Sequence, residues 1–163
     1  MFKSMFGLTA VALACAATTP AAAELLARKD LPLATALTIA STAVESCKTQ
    51  GYRVSVAVVG RNGELLVHLR GDETSPHTME NSFRKAYTSR TFRIPSGEFA
   101  QRIKDNPTSG QAQLANVIAA QGALPIKVGQ DTIGAAGASG APGGEKDEAC
   151  IKAGLDKVTE QLK

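Results

Sequence analysis

Tryptophan is absent, and there are only two tyrosines, five phenylalanines and two histidines in 163 residues. An aromatic-poor chain cannot offer the stacking platforms on which single-stranded nucleic acid is held. Lysine and arginine number 18 against 15 acids, a formal charge of +3. That excess is too small, and too little clustered with aromatics, to point to a nucleic-acid partner. The common catalytic spacings are also missing. No H-E-x-x-H, C-x-x-C or G-x-S-x-G occurs, and Ser139 stands in G-A-S-G without the elbow spacing. No Gly-Lys-Ser/Thr follows any glycine run, because Lys146 precedes Asp147. After the N-terminus no apolar stretch approaches the roughly 20 residues of a membrane span, so stable membrane insertion is not expected.

What is present begins with a leader. Lys3 supplies a positive charge, residues 5–17 are almost entirely apolar, and Ala21-Ala22-Ala23 provides an A-x-A cleavage site. This reads as a signal peptide over residues 1–23, cut before Glu24, and a periplasmic or secreted mature chain. Cys15 lies in the apolar run, but Ala12 stands where a lipobox wants leucine. Residues 24–163 are the size of one domain with an aliphatic core. Cys47 and Cys150 lack metal-ligand spacing, and an oxidising compartment allows them to pair.

Along the chain, residues 33–48 read as a helix with Leu37, Ala40, Val44 and Cys47 on one face, ended by Gly51. Residues 53–59 (RVSVAVV) and 64–70 read as strands around Gly60-Arg61-Asn62-Gly63, an Asn-Gly hairpin in which both central positions want positive φ. Leu66 and His68 share the less apolar face of the second strand, which makes His68 a structural or merely exposed residue rather than a ligand. Ser75-Pro76 then opens a helix, with Ser75 as N-cap and Pro76 in the first turn. At 100° per residue, His77, Asn81, Arg84 and Thr88 share one face, opposite Met79, Phe83 and Ala86. The spacing predicts a buried apolar side and an exposed polar stripe. Short helices are expected over 96–103 and 111–120, and a second hairpin joins 124–128 to 132–137. A glycine-rich loop at 138–144 leads into a last helix with Ile151, Leu155, Val158 and Leu162 on its buried side. Hairpins require antiparallel pairing, so the fold class is α/β (α+β), a mainly antiparallel sheet flanked by helices rather than a doubly wound domain. That order also excludes a dinucleotide reading of the glycines at 134–144, since the fingerprint needs a parallel βαβ unit. Glu145, Asp147 and Glu148 then serve as counter-charges to the last helix's dipole.

The hairpin RVSVAVVGRNGELLVHLRGD, the helix SFRKAYTSRTF and the segment LPIKVGQDTIGAAGASGAPGGEKDEAC together resemble the GlcG/HbpS-like family of small haem-binding proteins. A related domain ends the PduO-type adenosyltransferases. Lys85–Thr88 (K-A-Y-T) and the stretch from Gly137 to Ala149 carry the likeness most specifically. The resemblance implies a profilin-like antiparallel sheet of about five strands with helices on both faces. It further implies haem as cofactor, homo-oligomers from dimer to octamer, and roles in haem sensing, storage or protection. A haem-degrading activity is also attached to the family. Many relatives have a glycine run where this chain has Gln121-Gly122-Ala123-Leu124. The family has no uniform iron ligand, so the choice here rests on chemistry. An imidazole at an exposed helix start makes His77 the candidate axial ligand, beside Thr78. Arg84, on the same face, and Lys85, on its flank, are candidate propionate partners, and Tyr87 a candidate ring contact. The competing expectation is a small organic-acid carrier or enzyme using Arg84 and Lys85 without His77.

Overall fold

The computed structural model describes residues 23–163, so the expected leader lies outside the described residues, Ala23 apart. The first helix, α1 (Leu33–Thr49), starts after Pro32 and stops at Gly51. β1 (Ser55–Val59) and β2 (Leu65–Arg70) form the first hairpin. Its turn differs from the expected one. Only Gly63 is left-handed (φ +81°), and a register shift after Val58 absorbs the additional loop length. α2 (His77–Phe92) and α3 (Ser96–Asp105) follow. The helix expected over 111–120 reduces to one 3-10 turn, Gly110–Gln113. β3 (Ala123–Val128) and β4 (Asp131–Ser139) make the second hairpin, and β4 runs on through Ala138 and Ser139, the first two residues of the expected glycine-rich loop. α4 (Gly144–Lys157) closes the fold.

The strands run β2-β1-β4-β3, antiparallel throughout. There are four strands among the described residues, those of the two hairpins, not the about five that the resemblance implies. Both central strands are covered on both sides. Val56, Val58, Ala136 and Ala138 face α1 and α4 with Ile39, Ala43 and Ile151. Ala57, Val59 and Ala135 face α2 at Ala86. Cys47 and Cys150 are disulfide-bonded, joining the end of α1 to α4, with Cα atoms 5.5 Å apart.

The second face corrects the expected orientation of α2. Thr78, Ser82, Lys85, Ala86 and Ser89 are buried, whereas Met79 and Phe83 are only half covered. Thr88, expected outward, is also fully buried, its hydroxyl accepting from Ile118 N at 2.9 Å. The sheet sets this choice. It presents Ser55, Ala57 and Gly137, and a Cβ on Gly137 would lie 2.6 Å from the Ser82 carbonyl oxygen and 2.7 Å from Ala86 N. Backbone so close to backbone leaves room only for small side chains between the layers.

Candidate functional site

Where α2 begins, the fold opens into a cleft of about 650 Å³. Its walls come from three loops. They are the α1–β1 connection at Gly51–Arg53, the turn after β2 at 73–75, and the β4–α4 loop at 140–143. Its base is an ion pair. Lys85 Nζ lies 2.8 Å from Asp147 Oδ2, and the two residues are 5% and 2% exposed. Lys85 Nζ also donates to the Ala138 carbonyl at 3.1 Å, while Asp147 Oδ1 accepts from Ala141 N at 3.1 Å. The pair therefore pins the end of β4 and the loop beyond it. Burial pushes the Asp147 carboxyl above its usual range, against the lowering pull of Lys85 and the Ala141 amide. Gly122 (φ +135°) makes room for the pair, since a Cβ there would meet Lys85 Nζ at 2.7 Å and the Ala138 oxygen at 2.9 Å.

The sequence candidates separate. His77 stands exposed at the cleft's edge, with Asn81 one turn on, and Thr78 and Lys85 line its interior. Thr78 is held in place by its hydroxyl, 2.8 Å from Ser55 Oγ and donating to the Ser75 carbonyl. Ser75 thus anchors the helix start through its carbonyl, and no side-chain cap is made. Arg84 and Tyr87 do not line this cleft. Arg84 Nη2 donates to the Val117 carbonyl at 2.8 Å, and Nη1 approaches Glu80 at 3.3 Å. Tyr87 lies against Phe83 and Gly63, beside the first hairpin's turn.

Other lining residues escaped the sequence reading. Arg53 and Glu73 form an exposed ion pair at 2.9 Å across the rim. Tyr52 forms a wall, with Lys146 Nζ 5.4 Å from its ring centre, within cation–π range. For Asp147 the sequence does carry a signal. It stands four residues before Ile151 and seven before Gly154, on the helix's buried stripe, where a carboxylate needs a partner.

His68 is the structural residue expected. Its Nε2 lies 3.0 Å from the Met79 carbonyl and 3.1 Å from Ser82 Oγ, tying β2 to α2. Burial lowers its pKa below the usual value, and the Met79 carbonyl opposes that shift. Its stabilising contribution is therefore complete above about pH 6.5 and is lost as pH falls through the lowered folded-state value. Urea midpoints measured from pH 7.5 down to 5 should fall in the native protein. His68→Gln should show a flatter dependence over that window, and identical slopes would exclude His68 as the source. Among the described residues no group of three or more His, Cys, Asp or Glu side chains is gathered for a metal ion, and no helix is long and apolar enough to cross a membrane.

Comparison with known proteins agrees with this architecture. HbpS has 35% identity and a TM-score of 0.79, the match covering 83% of this chain and 94% of that one. A double mutant of HbpS from Streptomyces reticuli has 34% identity and a TM-score of 0.79, covering 87% and 98%. PduOC, solved as a haem complex, shares the fold at 19% identity and a TM-score of 0.69, covering 77% and 93%. No curated protein gives a significant match. The profile of the family described as haem degrading protein HbpS-like matches residues 31–156. This chain, with its four-stranded antiparallel sheet between helix layers, belongs to the HbpS-like family.

Proposed function

We propose that the protein binds haem in the cleft at the start of α2, with His77 as axial ligand. The observation that carries this is an exposed imidazole, without a side-chain hydrogen bond among the described residues, at the edge of a cleft with an aromatic wall. The residues suit the group. A porphyrin brings four nitrogen donors of its own, so one protein imidazole suffices where no larger donor cluster exists. Tyr52 offers an aromatic surface, and Arg53 and Lys146 are cations suited to propionates, while Thr78 and Lys85 shape the interior. Bound haem would supply redox or ligand-binding chemistry at its iron; the protein's part is to hold and partly cover it.

The organic-acid reading is less well supported, because Arg84 lies outside this cleft and Lys85 is held in a buried pair, unlike the solvent-exposed Arg53–Glu73 pair at the rim. Arg84 is bonded to a backbone carbonyl and Lys85 to Asp147. Export is supported by the leader and by the disulfide, which suits an oxidising compartment. In such a place haem sensing, storage or protection are the roles this site would serve. Self-association is part of the same proposal. Leu33 and Leu37, one turn apart on α1, are 63% and 48% exposed and offer apolar surface for a second copy.

Haemin titration followed in the Soret region tests the reading. The native protein should take up haem saturably. His77→Ala should shift the Soret band and weaken binding roughly tenfold or more, since even outer-shell partners of metal ligands cost 10–100-fold when removed. An unchanged band in that variant would remove His77 as ligand. Absence of saturable uptake by the native protein would remove the function.

A further inference from the structure

A second pocket lies near the other end of α2, about 20 Å along the helix from His77 by the 13-residue rise. It is small, about 120 Å³, and is lined by Arg61, Asn62, Gly63, Tyr87, Arg90 and Thr91. By liquid density that is roughly four water volumes, enough for a tetrahedral oxyanion with a water or two. Arg90 distinguishes it. Its Nε is buried and has no hydrogen-bond partner among the described residues. Burial, and then the Arg93 and Arg61 charges, push its pKa down from the usual arginine value, against the opposing pull of Asp131 and Glu64.

The nearby carboxylates do not fill that gap, because each is engaged elsewhere. Both Asp131 oxygens accept from Arg61, at 3.0 and 2.7 Å, and Asp30 Oδ1 lies 3.2 Å from Arg61 Nε. Glu64 Oε2 accepts from Asn62 N at 2.8 Å. Position in the last turn of α2 favours a cation through the helix dipole. The dipole, however, supplies no hydrogen-bond acceptor to the guanidinium. The hairpin turn is also shaped to the pocket. Gly63 is left-handed, and a Cβ on it would lie 2.7 Å from Tyr87 Cε2.

We propose that this pocket binds a small oxyanion of the phosphate class, held by the Arg90 guanidinium beside Asn62 and Tyr87. Guanidinium is the side chain whose forked donors match such an anion, and among the described residues no acceptor takes a hydrogen bond from any Arg90 nitrogen. The site is separate from the haem cleft and does not depend on that reading.

The probes are inorganic phosphate and glycerol phosphate, with chloride at matched ionic strength as control. Thermal unfolding of the full chain should rise saturably with phosphate beyond the chloride effect, as mass action requires. Arg90→Met should weaken the half-saturation roughly tenfold or more, the effect of one or two charge-assisted hydrogen bonds. Nitrogen-edited NMR of the native protein reads the Arg90 Nε–H directly, and its resonance should shift on titration. A response to phosphate alone supports a free-ion site; a response to both supports a site for the phosphate group of a larger molecule. A phosphate response no larger than chloride's overturns the proposal. So does an Arg90 Nε–H resonance that does not move.

Discussion

Asp147→Ala is expected to lower the unfolding free energy by about 3–5 kcal/mol, the usual cost of removing one member of a buried ion pair. Lys85 would keep its charge at 5% exposure with only the Ala138 carbonyl as a partner. The Ala141 amide would lose its acceptor as well. Replacing both members with apolar residues, Lys85→Met with Asp147→Leu, should recover most of the loss, because the uncompensated charge goes with the pair. Urea unfolding of Lys85→Met, Asp147→Leu and their double variant makes a cycle that isolates the coupling. Loss below about 1 kcal/mol in Asp147→Ala would mean that water reaches Lys85, and that the cleft is not floored by a dry pair. The pH signature has a definite sign. Burial raises the folded-state pKa of Asp147. Its contribution is therefore greatest below the unfolded value near 3.9 and declines as pH rises through the raised folded value. That slope should vanish in the apolar double variant.

The pair also shows where sequence reading succeeds and where it stops. Hairpins and helices were legible because they are local. Alternation in RVSVAVV, the Asn-Gly turn, Gly51 after a periodic run, and the stripe through Ile151 and Val158 all depend on near neighbours. The partners of α2 are not local. Counting apolar residues chooses Met79, Phe83 and Ala86 as its inner face. Ala86 does meet the sheet, but the sheet there is lined by Ser55, Ala57 and Gly137 and accepts only small side chains, which leaves Met79 and Phe83 half covered. Arg84 and Thr88 had the right periodicity for an open stripe. They are engaged by residues 117 and 118, some thirty positions away, in a segment with little regular structure. What the structure brings together of the sequence candidates lies mainly in the first turn of α2. His77, Thr78 and Asn81 remain together at the cleft, joined by Lys85 from below. Tyr52, Arg53 and Glu73 come from loops, whose approach to one another no periodicity encodes.

Loss of the Cys47–Cys150 bridge is the other change expected to be large. The two cysteines are 103 residues apart, and closing a loop of that length restricts the unfolded chain by about 4.7 kcal/mol in the chain-entropy picture. A Cys47→Ser/Cys150→Ser variant should therefore lose about 2–5 kcal/mol in urea unfolding, the range seen for native disulfides. Both sulfurs are fully buried, so reductant alone should act slowly on the folded protein and quickly once urea opens it. The consequence reaches the cleft through the backbone. Tyr52 N donates to the Cys47 carbonyl at 2.9 Å, so the bridge that fixes the end of α1 also fixes the wall of the cleft. On the proposed haem reading, haemin affinity in the serine variant should fall even at temperatures where it stays folded. A variant as stable as the native chain would show that packing of α1 on α4 suffices without the bridge. Lower stability with native haem affinity would show instead that the wall at Tyr52 is held by its own contacts. Lower stability together with weaker uptake would identify the bridge as a support of the site as well as of the fold.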